Sequence, residues 1–372
     1  MRNKIYLCIL PLMLAIVAAP QLYGQIIYDQ PGSGQARMIY SHWKIKGDSA
    51  EIKVNQLAMP VTGFVPLQDN LEAQFYMANA SNKLSVIDSD TTLAGFSDFR
   101  VQVNKSLYED QLLLSGGINL PIGKKKLDPD ADRAIIDVLS TNYLSFPIRR
   151  YGEGFGFNAL IGGATIKGNT RYGVGIMYQY NGSYDPYEGE GSYDPGDLVS
   201  FNISASQSFE KTAVSGDFIF SSFGSDKLDD VEVYDAGGQL DMRLRGVMTE
   251  KTYSLGGYVR YLHRFKPLEF DIFSGISEEA RFYGNEFSIN GNFNYHPDKK
   301  WYVSPSIDMR LIGKNDQGFD KSTIFGIGGM YGRKLGERMD LDVGLKYFTG
   351  SADDGALDLT GLQLTFGLAA IF

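Results

Sequence analysis

Apolar and polar residues alternate with a period of two through most of this chain. The last eleven residues, 362–372, show the pattern most clearly. One set of alternate positions is apolar: Leu362, Leu364, Phe366, Leu368, Ala370 and Phe372. The set between them is small or polar: Gln363, Thr365, Gly367 and Ala369. Because successive side chains of a strand point to opposite sides, this pattern predicts a β-strand with one apolar face.

Similar runs recur at 71–77, 99–104, 111–120, 155–161, 172–180, 201–205, 214–220, 240–245, 252–261, 287–295, 301–311 and 339–347. The longer runs have about 9–12 residues, the length that crosses a bilayer at a tilt of roughly 45°. Strands of soluble β-sandwiches are shorter, usually about 5–6 residues. The polar rows also carry Arg, Asp, Asn and Lys in mid-strand, which is typical of a wet interior. We therefore predict an all-β fold, a transmembrane antiparallel β-barrel.

The predicted strand number is about 14, with about 16 as the alternative, because bacterial barrels favour even numbers. With Phe372 at the periplasmic end, Thr349 to Thr360 is extracellular and Leu335 to Arg338 is a periplasmic turn. Continuing backward makes Arg264 to Leu268 periplasmic. Counting forward from the short turn Lys167 to Thr170 makes the same segment extracellular. One assignment between 264 and 322 is therefore wrong.

Two segments lack the alternation. The first, near 127–145, contains Asp128-Pro129-Asp130 followed by Ile135, Ile136 and Leu139 on one side, which predicts a helical loop. The second, 25–66, is irregular and is either a flexible leader or a hatch within the barrel. Its apolar residues include Trp43, Met59 and Phe64, more than a disordered tail needs. We predict a hatch, with Arg260, Asp308 and Arg310 among its polar neighbours.

The N-terminus has the features of a cleaved signal peptide. Arg2 and Lys4 precede an apolar stretch, and Leu22-Tyr23-Gly24 is an acceptable cleavage site. The predicted organisation is therefore a signal peptide at 1–24, the possible hatch at 25–66 and the barrel at 67–372. Cys8 is the only cysteine, so the mature protein is expected to have none. No later segment has the 18 or more apolar residues of a spanning helix, which argues against an inner-membrane protein.

Composition and charge narrow the function. The 43 glycines, 23 tyrosines and 23 phenylalanines favour a β protein. A formal net charge of −9 argues against nucleic acid as a partner. The three histidines form neither a catalytic triad order nor a metal-ligand spacing. We expect no enzymatic activity, no catalytic residues, no metal and no cofactor.

Charged residues on the polar rows are candidates for a lumen lining: Arg100, Arg243, Arg245, Arg260, Asp308, Arg310, Asp342 and Lys346. They either bridge one another and keep the lumen hydrated, or they set selectivity or gating.

Two resemblances add to this interpretation. The terminal row, with Phe366, Leu368 and Phe372, resembles the C-terminal insertion signal of bacterial outer-membrane barrels. Ile118 to Gly123, then Leu139 to Pro147 and the glycine-rich Tyr151 to Gly156, resemble the outer-membrane transporters related to the long-chain fatty-acid channel (FadL-like), including those for aromatic hydrocarbons. That resemblance implies fourteen strands, an N-terminal hatch and a passive route for hydrophobic molecules.

Two functions therefore stand. The first is a porin-like outer-membrane transporter for passive uptake of hydrophobic or amphipathic small molecules. The alternative is a non-transporting barrel, an anchor or a component of a secretion or gliding assembly similar to the PorP/SprF-like barrels of Bacteroidetes, which are Gram-negative. The expected location is the outer membrane. The expected partners are outer-membrane lipid and lipopolysaccharide, the barrel-assembly machinery and a hydrophobic small-molecule substrate.

Overall fold

A computed structural model describes residues 31–48, 50–87, 89–265, 268–270, 277–279, 283–298, 300–316 and 318–372. The predicted signal peptide at 1–24, with Cys8, lies outside the described residues.

The described chain is almost entirely β-structure. Its strands are β1 (Ser33–Lys46), β2 (Glu51–Gln68), β3 (Leu71–Val86), β4 (Ser89–Phe96), β5 (Phe99–Leu107), β6 (Leu112–Leu120), β7 (Gly156–Lys167), β8 (Thr170–Asn181), β9 (Tyr193–Asp194), β10 (Leu198–Ser208), β11 (Thr212–Phe223), β12 (Ser225–Leu228), β13 (Val231–Asp235), β14 (Gly238–Thr249), β15 (Tyr253–Arg264), β16 (Leu268–Phe270), β17 (Ser277–Glu279), β18 (Glu286–Tyr295), β19 (Trp301–Ile312), β20 (Ser322–Lys334), β21 (Met339–Ala352) and β22 (Leu357–Ile371).

Seventeen strands form one antiparallel sheet that closes on itself. The first and last strands pair along their length, from Ser33 opposite Ile371 to Lys46 opposite Asp358. β4 and β5 pair with different parts of the same edge of β3, at residues 79–86 and 71–76. They therefore occupy one position between them, and the 17 strands make a ring of 16. The ring order is β1, β2, β3, β5, β6, β7, β8, β10, β11, β14, β15, β18, β19, β20, β21 and β22. The predicted barrel is confirmed. The predicted number of about 14 strands is wrong, and the stated alternative of 16 is confirmed.

The outer surface of the wall is apolar, as the alternation predicts. Exposed side chains on alternate positions include Leu345, Leu364, Phe366 and Phe372. Their neighbours along each strand face inward. Lys346, for example, forms an ion pair with Asp308 inside the barrel. A row of large apolar side chains in contact with solvent is unfavourable in water, but in a lipid bilayer it is the expected outer face.

Connection lengths separate the two ends of the barrel. The end at which β1 begins and β22 ends has short turns: 69–70, 108–111, 168–169, 209–211, 250–252, 296–300 and 335–338. We call it the turn end. The other, the loop end, has the long connections, including 121–155, 182–197 and 224–237. Strands β9, β12, β13, β16 and β17 of these loops form a second, five-stranded sheet at the loop end.

The strand that resolves the conflict is β20, which begins at the end of the interval 264–322 and extends beyond it, so the predicted position of the wrong assignment is itself incorrect. This strand contains Gly326, Gly328 and Gly329, which weaken its alternation, yet it pairs along its length with β19 and β21. When β20 is counted, backward alternation from Phe372 also places the segment after Arg264 at the loop end.

The hatch prediction for 25–66 is contradicted for the described residues of that segment. Trp43 lies in β1, and Met59 and Phe64 lie in β2, both of which are wall strands. Toward the loop end the two faces of these strands exchange polarity. Tyr40 is exposed on the outer face, but Lys44 on the same face forms an ion pair with Glu51. Because apolar residues thus change face in mid-strand, no single period-two row runs through the segment.

A single α-helix, α1 (Arg133–Ser140), interrupts the β-structure of the described residues. It lies within the predicted helical loop, and its Ile135 and Leu139 are buried. Within the same part of the chain, no helix is long and apolar enough to cross a membrane.

Candidate functional site

The connection 121–155, here called the inner loop, crosses the inside of the barrel. It leaves the wall at β6 and returns at β7. Midway it reaches β19, about half a turn away in the ring, where Arg310 donates hydrogen bonds to the carbonyl oxygens of Asn142 (3.3 Å) and Tyr143 (3.1 Å). The Tyr143 ring stacks on Phe319, with 5.3 Å between centroids. The inner loop therefore spans the lumen.

An apolar core holds the inner loop against the wall. Ile135, Leu139 and Leu144 of the loop are fully buried and pack against inward-facing side chains of the first and last strands. The wall side of this core includes Trp43, Ile45, Val54, Ala58, Ala80, Leu84, Leu93, Ile324, Phe348 and Leu359. Burying each large apolar side chain stabilises by about 1.5–3 kcal/mol. This core explains why the inner face turns apolar toward the loop end.

Trp43 is the largest side chain of the core. It is 1% exposed, and its ring stacks on Phe348 with 5.1 Å between centroids. The opposing position in β22 is Gly361, where a Cβ would come within 2.9 Å of the indole. Glycine at 361 is therefore required for the indole to lie flat against the wall.

Buried polar contacts fix the second half of the inner loop. The Gln56 side chain donates to the Ile148 carbonyl oxygen (2.6 Å) and accepts from the Ile148 N–H (3.0 Å). Gln56 also donates to Asn82, which in turn donates to the Tyr151 hydroxyl. Burial raises the pKa of Tyr151, so its hydroxyl stays neutral as a donor and acceptor. Each of these groups has a partner, which makes the docking geometry specific.

Asp98 anchors both ends of the inner loop. This buried carboxylate lies at the break between β4 and β5 and accepts hydrogen bonds from Gly123 N–H (2.8 Å), Glu153 N–H (2.7 Å) and the Asn119 amide (2.9 Å). The free edge of β4 is covered by the same loop, because Lys124 N–H donates to the Phe96 carbonyl oxygen (3.0 Å).

The charged residues predicted to line the lumen form ion pairs, a hydrogen bond and a cation–ring contact inside the barrel. Arg100 pairs with Glu153 of the inner loop, and Arg243 and Arg260 both pair with Asp241. Lys346 pairs with Asp308, and the Tyr302 hydroxyl donates to Asp342 (2.7 Å). Arg245 lies over the Tyr258 ring at 5.6 Å. Sequence reasoning missed Gln56, Asp98, Arg149, Arg150 and Glu153, because an uncharged row position or a loop residue carries no periodic signal.

A cavity of about 870 Å³ lies beside the inner loop on the side of β3, β5, β6, β7 and β8. Its lining is mixed. Phe146, Ile148, Leu160 and Met177 are apolar, and the charged groups are Arg100, Arg149, Arg150 and Glu153. Burial lowers the pKa of Arg149, and the negative charge of Glu286 acts in the opposite direction. The guanidinium group nevertheless remains cationic, as it does in proteins generally. Such a space accepts a small molecule with both apolar and polar parts.

Comparisons with known proteins find similar solved structures but no relative by sequence. No protein-family profile matches the sequence, and no curated protein matches it. Among solved structures, the chain is similar to the CymD monoaromatic hydrocarbon channel, with 10% identity, a TM-score of 0.44 and coverage of 92% of this chain and 89% of that one. It is also similar to Acinetobacter baumannii OccAB4 (9%, TM-score 0.45, 92% and 99%). A third is OmpTdeltaL8, a loop L8 deletion mutant of a Vibrio cholerae outer membrane protein (13%, TM-score 0.39, 90% and 98%).

The wall defines the class of protein. A closed antiparallel sheet leaves no unpaired edge, and together with an apolar outer face it is the form in which β-structure spans a membrane. The chain is an outer-membrane β-barrel, and the outer membrane is its location. The FadL-like transporters that the sequence resembles are a narrower group within this class, and the wall alone does not define that group.

Proposed function

We propose that this barrel is a passive channel for hydrophobic or amphipathic small molecules, in which the inner loop limits flow. The observation that carries the proposal is the cavity beside the inner loop, which offers Leu160 and Met177 together with Arg100 and Arg150. A molecule with an apolar body and a polar end finds both kinds of contact there. The FadL-like resemblance of 118–156, which includes the inner loop, supports the same substrate class.

The test loosens the inner loop without touching the wall. Changing Ile135, Leu139 and Leu144 to serine removes the apolar contacts of the loop, each worth about 2–5 kcal/mol when truncated in a core. The triple variant is expected to assemble normally and to conduct several-fold better in planar bilayers, with more open-channel noise. Uptake of a neutral aromatic solute into liposomes is expected to rise in parallel. The control is Ile122→Ser, an exposed position at the start of the loop.

The same experiment tests the alternative, a non-transporting barrel that acts as an anchor or assembly component. The fully buried core at the loop end favours this second candidate, since it fills lumen space with side chains. Absence of both ion conductance and solute uptake in the wild type and the triple variant would establish it instead of the channel.

The proposal includes the surroundings of the barrel. The turn end faces the periplasm, and the outer face contacts lipid and, in the outer leaflet, lipopolysaccharide. Insertion by the barrel-assembly machinery uses the terminal row with Phe366, Leu368 and Phe372. In support, Phe366 and Phe372 are both exposed on the outer surface, and at the turn end Phe372 N–H donates to the Gly32 carbonyl oxygen (2.8 Å).

A further inference from the structure

Positive charge is concentrated inside the barrel, although the whole chain has a formal net charge of −9. Among the described residues around the inner loop, eight cationic side chains are grouped about four carboxylates. The groups are Arg100 and Arg150 around Glu153, Arg243 and Arg260 around Asp241, Arg149 and Arg264 around Glu286, and Arg310 and Lys346 around Asp308. Each of these four carboxylates is therefore shared by two cations. Two further buried carboxylates lie in or beside the loop: Asp98, which accepts hydrogen bonds from N–H groups, and Asp132, which pairs with Lys124 (3.4 Å), so cations remain in excess.

Further toward the turn end, the numbers of inward-facing positive and negative charges are closer to equal. The charges there do not cancel the excess of positive charge around the inner loop. There the register places Arg37 and Arg245 on inward-facing positions together with Glu72, Asp217 and Asp342. The acidic groups of the chain are instead concentrated in the connections at the loop end. In 182–197 and 224–237 alone, ten carboxylates accompany one lysine: Asp185, Glu188, Glu190, Asp194, Asp197, Asp226, Asp229, Asp230, Glu232 and Asp235.

Three of the arginines lie at one level of the wall. Arg243 is directly opposite Arg260, Arg260 opposite Ser288, and Ser288 opposite Arg310. Neighbouring strands are about 4.8 Å apart, so this row extends roughly 14 Å across β14, β15, β18 and β19. We call it the arginine row. From the inner loop, Arg149 supplies another guanidinium group near this row, because the Glu286 carboxylate interacts electrostatically with Arg149, Arg260 and Arg310. Arg150 of the same loop pairs with Glu153 (3.6 Å).

The physical consequence is a positive potential where the inner loop crosses the lumen. Charges in a low-dielectric channel are screened less than in bulk water and focus the field along the passage. The guanidinium group matches a carboxylate or phosphate with two parallel hydrogen bonds. We propose that the lumen is anion-selective, and that Arg149, Arg150 and the arginine row bind the carboxylate or phosphate end of small amphipathic solutes in passage. The inference rests on the proposed channel function and narrows its substrate class.

Ion selectivity in a planar bilayer is the direct test. Across a potassium chloride gradient, the reversal potential of the wild type is expected to show chloride permeating several-fold better than potassium. The double variant Arg149→Gln with Arg150→Gln should bring the ratio close to one, and Glu153→Gln should raise it. Lys44→Gln with Lys53→Gln, which removes two cations from the outer face, is the matched control and should leave the ratio unchanged.

The outcomes separate this inference from the channel function. A conducting wild type with no anion preference, or with a preference for potassium, overturns the inference and leaves the channel. If the protein does not conduct, the channel function fails, and binding is measured by the midpoint of heat-induced unfolding in sodium pyrophosphate against sodium chloride of equal ionic strength. A higher midpoint in pyrophosphate for the wild type, lost in the double variant, supports the anion site. Equal midpoints overturn it.

Discussion

Gln56 and Ile148 lie 92 residues apart in the sequence and exchange two hydrogen bonds inside the barrel. The amide side chain of Gln56 satisfies both backbone groups of Ile148, so a wall strand and the inner loop are joined by a pair of bonds with defined direction. Gln56 itself is fully buried.

Gln56→Ala is expected to loosen the second half of the inner loop. The change leaves the N–H and carbonyl of Ile148 without this partner, at a cost of about 1–3 kcal/mol for each unsatisfied group. Hydrogen exchange measured by mass spectrometry should become faster over 144–152. Gln363→Ala is the control, since Gln363 contacts Ser41 in the wall and not the loop. Unchanged exchange over 144–152 would show that the apolar core alone docks the loop.

Asp98→Ala is expected to release both ends of the inner loop together, because one carboxylate accepts from Gly123 and from Glu153. Fluctuations of the single-channel current should increase, while the amount of heat-modifiable barrel in the membrane stays near the wild-type level. Asp90→Asn, at an exposed ion pair with Lys83, is the control. Loss of the barrel in Asp98→Ala would assign this residue to assembly of the wall instead.

Leu345 and Lys346 are adjacent in β21 and face opposite sides. Leu345 is 54% exposed on the outer surface, whereas Lys346 pairs with Asp308 in the lumen. Leu345→Arg places a charge against lipid and should cost roughly 2–4 kcal/mol near the membrane midplane, enough to impair assembly. Lys346→Ala should assemble normally and lower the preference for anions. Similar behaviour of the two variants in outer-membrane fractions would contradict the assignment of the two faces.

Phe372→Ala is expected to lower the amount of barrel in the outer membrane and to leave aggregates in the periplasm. The aromatic ring is exposed at the turn end, at the position where the C-terminal insertion signal of such barrels lies. Export should continue, because the predicted signal peptide is unchanged. Ile122→Ser, an exposed apolar position at the loop end, is the control for loss of surface hydrophobicity. Normal levels of folded barrel in Phe372→Ala would remove this residue from the insertion signal.

The sequence predicts the wall well where one face is apolar over a whole strand. β22 and β21 are of this kind, and their outer rows lie where the alternation puts them. Prediction from the sequence fails for β1 and β2, because their inner faces line the open lumen near the turn end and pack in the apolar core near the loop end. Near the turn end, Gln35 faces the lumen, and nearer the loop end Trp43 packs against Phe348. The polarity of that inner face therefore depends on contact with the inner loop, which is distant in the sequence. The periodicity of the strand itself does not predict such a contact.

The candidate site was only partly predictable for the same reason. Arg243, Arg260 and Arg310 stand out on polar rows, and the structure aligns them across four strands. The helix of the inner loop was also recognisable, from its proline, its aspartates and the spacing of Ile135 and Leu139. That the loop enters the lumen was not, because its docking depends on Gln56 and Asp98, single residues whose partners lie far away in the chain.

The core beneath the loop end has a consequence for assembly. Trp43 comes from the first strand, Leu359 from the last, and Ile135 from the middle of the chain. These three surfaces meet only when β1 has paired with β22, so closing the cylinder also completes the packing of its interior. A chain that lacks either terminal strand loses both at once. The finished seam is therefore stabilised from within as well as by its own ladder of backbone hydrogen bonds, and a barrel closed with the loop outside would lack that support.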